Sequence, residues 1–118
     1  MKTFMAVFTG SPNSAQGQAW QRLDEKMRNE RVAAGMKAWH QWAADHAGAT
    51  VYDGGPLGKT KRVTKDGVAD TSNQLSGFTI VQAESHAAAA KLFENHPHFS
   101  IFPGDGVEIM EIMPIPQM

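Results

Sequence analysis

Two histidines separated by one proline, His96-Pro97-His98, are the residues of this chain best placed to do chemistry. Imidazole titrates near neutral pH and both bases and metals use it. Two rings two residues apart match a spacing that metal sites sometimes use, but a metal needs at least a third ligand, and His86 and Asp105 are nearby in sequence. A proline after a helix acts as a stop, and a histidine in the last turn complements the helix dipole, so His96 reads as a cap. His98, just past the stop with Phe99, is the residue expected to face a pocket. Neither a metal nor a cofactor is expected.

Asp53 is the leading carboxylate, because it ends a strand beside Gly54-Gly55-Pro56-Leu57-Gly58, where clefts open and a carboxylate can orient a base. Turn stabilisation through an Asx bond is the competing reading. Gly54 through Thr60 approaches a phosphate loop, yet only three residues separate Gly54 from Gly58 where four are needed, and no helix follows. What survives is a small carboxylate or phosphate held by glycine amides with Lys59 or Arg62. Trp39 reads as core or as a pocket wall, and His46 as a ligand contact or a helix cap. The expected site is therefore Asp53 and His98 as catalytic groups, with Trp39, His46 and Arg62 toward the ligand.

The elements that must position these groups follow from patterning. Lys2–Thr9 reads as a strand, and Ser14 stands at a helix N-cap after the Gly10-Ser11-Pro12-Asn13 turn. Trp20, Leu23 and Met27 recur at helical spacing, and Met36, Trp39 and Ala43 continue to about Ala47, with a break expected near Gly35. Ala49–Tyr52 is a second strand. Residues 57–76, with Asp66-Gly67 as a turn, read as a hairpin or arm outside the core. A strand at Gly77–Ala83, a helix from Ser85 to Pro97 and a strand at Val107–Met113 close the chain, and Glu108 and Glu111 suggest a bulge or an edge contact. The prolines of Pro114-Ile115-Pro116-Gln117-Met118 take the tail out of the sheet as an arm.

The chain has 118 residues, enough for one domain and one core. Its net charge of −1 gives no pull toward nucleic acid or anionic membrane. The basic run Lys59, Lys61, Arg62 and Lys65 lacks interleaved aromatics, so it reads as a solvated edge. No run of eighteen apolar residues is present to span a bilayer, and the absence of cysteine suits the cytoplasm.

Phe4, Ala6 and Phe8 alternate with Met5 and Val7, and Phe78 and Ile80 oppose Val81 and Ala83, so both faces of the central strands are apolar. In a βαββαβ chain with right-handed crossovers the helices cover one face of a four-stranded antiparallel sheet. The expectation is an α+β, ferredoxin-like protomer whose bare face is covered by a second copy, a homodimer.

The strand Lys2–Thr9, the Asp53–Thr60 element, Gly77–Ser85 with its alanine-rich helix, and His96-Pro97-His98-Phe99 leading to Val107–Ile115 occur in an order that resembles the YCII-related, DGPF-type domain family of the dimeric α/β-barrel superfamily. The resemblance implies a ferredoxin-like protomer dimerising through its sheet, with a pocket between helices and sheet. It also implies a histidine of the first helical region working with an aspartate; counting back from Gly55-Pro56 puts that histidine at Ala38 or Trp39, with His40 and His46 flanking. Two functions stay open: a small-molecule enzyme of acid/base type, or a metabolite-binding or sensing module without catalysis, linked to a partner such as a transcription factor.

Overall fold

A computed structural model describes residues 1–116. Six strands and four helices follow one another as β1 (Lys2–Thr9), α1 (Ala15–Arg22), α2 (Glu25–Asp45), β2 (Thr50–Pro56), β3 (Thr60–Thr64), β4 (Gly67–Thr71), β5 (Leu75–Ala83), α3 (His86–Lys91), α4 (Pro97–Ser100) and β6 (Gly106–Glu111). Four of the strands form one antiparallel sheet in the order β2-β5-β1-β6, while among the described residues β3 and β4 pair only with each other. The fold is α+β and ferredoxin-like.

Register explains why both faces of the sheet are apolar. Phe4 faces Val81, Ala6 faces Thr79 and Ile109, and Phe8 faces Gly77 and Val107 across the ladders. This set carries the core with Ala83, Ala89 and Phe93, and Trp39, Trp42, Ala88 and Leu92 pack against it from the helices. The alternate residues pair as Met5 with Ile80 and Met110, and Val7 with Phe78 and Glu108. Tyr52 pairs with Ile80 and leans on Phe78 at 5.9 Å. This second face holds Tyr52 at 60% exposure and Met110 at 43%. Glu108 thus sits in ordinary register on the open face, and Glu111 reaches Lys2 at 4.0 Å; no bulge interrupts β1 and β6.

Three helix boundaries differ from the sequence expectation. The expected break near Gly35 is absent, because α2 runs unbroken from Glu25 to Asp45. The interruption falls earlier: Leu23 caps the C-terminus of α1, and the Asp24 carboxylate accepts from the Met27 amide at 2.8 Å to start α2. Gly35 is glycine for a packing reason, since a Cβ there would lie 2.5 Å from the Phe102 ring. Ser14 is the N-cap of α1, its hydroxyl accepting from Gly17.

The single helix expected from Ser85 to Pro97 is instead two short ones. Ser85 caps α3 through the Ala88 amide, but α3 ends at Lys91, turns fill the interval, and Asn95 takes a left-handed φ of 57°. Pro97 is not the stop of that helix. It is the first residue of α4, a position where its missing N–H costs nothing. Of the C-terminal arm, residues 114–116 lie outside any strand, and positions 117 and 118 are outside the described residues.

Candidate functional site

His96 and His98 flank Phe8, with ring centroids 5.2 and 5.1 Å from it, yet they take different partners. His98 is buried, and its Nε2 lies 2.7 Å from the Thr9 carbonyl oxygen at the end of β1. A carbonyl only accepts, so Nε2 carries the proton. The same oxygen also accepts from the Asp105 amide at 2.9 Å. In its neutral form the ring is thereby held in one tautomer, with Nδ1 as the nitrogen that keeps its lone pair, and no hydrogen bond among the described residues reaches Nδ1. Gly104 makes room for this arrangement: a Cβ there would overlap His98 Nε2, Cε1 and the His98 carbonyl oxygen.

His96 is wholly enclosed, at 0% exposure. Its Nδ1 accepts from the His98 amide at 3.0 Å and so caps the N-terminus of α4, rather than closing the preceding helix as the sequence suggested. Neutral His96 therefore carries its proton on Nε2, a buried atom without a hydrogen-bond partner among the described residues. Trp39 and Trp42 stand edge-on to the ring at 4.5 and 4.7 Å, and Phe93 lies at 5.8 Å. Burial among these rings pushes the His96 pKa down from 6.5 to about 4, with His98 and His46 adding repulsion against a positive charge.

His98 is also a wall of a cavity of about 360 Å³, of a size that takes small molecules. Trp20 of α1, Phe102 and Pro103 supply apolar surface, while Ser11 and Ser76 add hydroxyls. Gly10, Gly17 and Gly104 form backbone walls without side chains. The cavity sits where the end of β1, the start of α1, the start of β5 and the loop before β6 meet. A larger depression of about 530 Å³ runs along Glu25–Ala33, but one helix alone lines it and no histidine is there.

The expected site residues are not brought together. Trp39 is near His98, with ring centroids 6.2 Å apart, and packs against Phe8 and Phe102. His46 is the C-cap of α2; its Nδ1 donates to the Trp42 carbonyl at 2.7 Å and its ring stacks on that indole. Asp53 is exposed on the edge strand β2, with β5 between it and β1, whose Thr9 carbonyl holds His98; two strand spacings are on the order of 10 Å. Arg62 and Lys59 are exposed on or beside the β3–β4 hairpin, away from the cavity. Ser11, Trp20, Ser76 and Phe102, which the sequence reading did not select, form the walls instead. Only the turn residues around Ser11 carried a local signal, and the rest meet through the fold.

A ferredoxin-like α+β protein with a histidine-walled cavity at one end of its central strand is the class that fold and geometry define. The YCII-related domain model matches residues 4–116, and the chain belongs to that family. Among curated proteins none matches the chain. Among solved structures, the chain is similar to 5-chloro-2-hydroxyhydroquinone dehydrochlorinase from Burkholderia phenoliruptrix AC1100, determined in complex with 2,5-dihydroxybenzoquinone. The two share 17% identity over 94% of this chain and 93% of that one, with a TM-score of 0.54, a likeness of fold. Among the described residues, no helix is long and apolar enough to cross a membrane.

Proposed function

We propose that this protein is a small-molecule enzyme of acid/base type, in which His98 Nδ1 exchanges a proton with a ligand held in the Ser11–Trp20–Phe102 cavity. One observation carries the reading: the Thr9 carbonyl fixes the proton on His98 Nε2 at 2.7 Å and leaves the other nitrogen as the base. The structural neighbour, an enzyme holding a small ring compound, supports the class. Trp39 serves as the apolar backing of His98 rather than as a direct ligand contact. Asp53, Arg62 and His46 have no place in this chemistry, because the first two are exposed elsewhere and the third caps α2.

The chain works as a homodimer through the open sheet face, where Met5, Tyr52, Phe78, Ile80 and Met110 surround the already buried Val7 on the side of the sheet that the helices leave bare. It acts as a single domain in a reducing compartment such as the cytoplasm, consistent with a chain that has no cysteine.

A second reading, a metabolite-binding module without turnover, is favoured by one specific feature. No carboxylate among the described residues hydrogen-bonds either histidine; a backbone carbonyl orients His98 in its place. The readings separate on proton transfer. 4-Nitrophenol, whose phenolate absorbs at longer wavelength, is titrated into the protein slightly below the phenol's own pKa. The enzyme reading expects the bound fraction to be phenolate in the wild type and neutral phenol in His98→Asn. Binding with no phenolate in either protein supports the module, and no saturable binding removes the site.

A further inference from the structure

A wholly buried imidazole is an unusual helix cap, and the structure shows what it costs. Serine, asparagine and aspartate are the ordinary caps, because a short side-chain oxygen accepts from the first amides of the helix. His96 instead encloses a whole ring among Trp39, Trp42 and Phe93, and its Nε2–H finds no hydrogen-bond partner among the described residues. Packing alone would favour an apolar side chain, which fills such a space and leaves no donor unpaired. What an apolar side chain lacks is the Nδ1 lone pair, and in His96 that lone pair accepts from the His98 amide at 3.0 Å.

That bond is placed where nothing else can replace it. Pro97 has no N–H, so the His98 amide is the first donor of α4 and lies too early in the helix to reach a helical carbonyl. The helix is a single turn, and the His96 carbonyl is already taken by the Phe99 and Ser100 amides. Three bonds then fix His98: its amide donates to His96 Nδ1, its carbonyl accepts from the Gly104 amide at 2.9 Å, and its ring donates to the Thr9 carbonyl at 2.7 Å. We infer that His96 is the positioning residue of the site, an uncharged acceptor that holds the His98 backbone where its ring reaches Thr9 and keeps one tautomer. This deepens, and rests on, the assignment of His98 as the proton-exchanging group. An aspartate cap would orient the same amide, but its carboxylate beside His98 would favour the imidazolium, which is no base. The buried imidazole supplies an acceptor without a charge.

The test separates stability from alignment in the intact chain. His96→Leu keeps the aromatic enclosure filled and removes the acceptor, whereas His96→Asn restores an acceptor on a smaller, uncharged side chain. Urea unfolding reports stability, nitrogen NMR of the His98 ring reports its tautomer, and 4-nitrophenol reports phenolate formed at the site. In His96→Leu the expected result is a urea midpoint at or above that of His96→Asn, with His98 signals averaged between tautomers and phenolate binding about ten-fold weaker than in the wild type. His96→Asn is expected to recover the Nε2-protonated tautomer despite its lower stability. A His96→Leu protein that keeps the single tautomer and the wild-type phenolate binding overturns the inference and leaves His98 as the base. A wild type that forms no phenolate removes the role of His98, and the inference with it. Should His96→Leu not fold, His96→Met fills the same space with a more adaptable side chain and is read by the same criteria.

Discussion

Acidification should destabilise the folded chain through His96, and the size of the effect follows from its surroundings. In the unfolded chain this imidazole takes up a proton near pH 6.5, whereas in the folded chain the aromatic enclosure holds it neutral down to about 4. Between those values the unfolded state binds the extra proton, so stability is complete above pH 6.5 and drains away as pH falls. The slope is about 1.4 kcal/mol per pH unit, and the whole window removes about 3 kcal/mol, a large share of the 5–15 kcal/mol usual for a domain. Protonation has a local consequence too. A charged His96 has no lone pair on Nδ1, so the cap on the His98 amide is lost and α4 loosens beside the cavity.

Urea unfolding at half-unit steps from pH 7 to pH 4 measures this directly. His96→Asn is the matched variant, because its side-chain oxygen can still cap α4 while nothing at the position titrates. Its absolute stability should fall, since the smaller side chain leaves a void among Trp39, Trp42 and Phe93. The reasoning concerns the difference between the two pH profiles, in which other titrating groups largely cancel. That difference should shrink by about 3 kcal/mol between pH 6.5 and 4. Parallel profiles across that range would refute the claim that His96 is held neutral by the fold.

Other consequences are open to simpler tests. Gly104→Ala drives a methyl into His98 and its carbonyl, so a loss of about 2–4 kcal/mol in thermal or urea unfolding is expected, together with displaced His98 signals. A change below 0.5 kcal/mol would show that the loop has slack. Ser14→Ala removes the α1 cap and should cost about 1 kcal/mol by the same measurement. Tyr52→Asp places a charge on the open sheet face at a side chain already 60% exposed in the single chain, so the protomer should stay folded while sedimentation shows dimer giving way to monomer. A wild type that sediments as a monomer at micromolar concentration would contradict the homodimer.

Strands were the most legible part of this chain, because the short run from Phe4 to Phe8, apolar on both sides, marks a strand covered on both faces, whereas which residues pair across the ladders was not legible, since a slip would exchange one apolar face for the other. Helix punctuation was harder. Glycine weakens a helix by a local rule, but at Gly35 the tertiary approach of Phe102 outweighs that rule, and the true interruption was signalled by Asp24, a capping residue within an apparently continuous stripe. Pro97 was ambiguous for a physical reason: the same ring that stops one helix is well suited to start the next, and only the left-handed Asn95 decides between them.

The site divides along the same line. His98 was accessible because its residue type and its position after a turn are local facts, while its tautomer depends on Thr9, far away in sequence. Asp53 looked poised beside a glycine loop, yet it lies on an edge strand two positions from β1. The walls come from Ser11, Trp20, Ser76 and Phe102, four segments that no spacing rule connects.

The direct measurement is long-range nitrogen NMR of the two His98 ring nitrogens, assigned by comparison with His98→Asn, without and with 4-nitrophenol. The account predicts a protonated Nε2 and a bare Nδ1 in the free protein, with Nδ1 alone moving toward the protonated shift as the ligand saturates. A proton already resident on Nδ1, or a ring indifferent to the ligand, would contradict it.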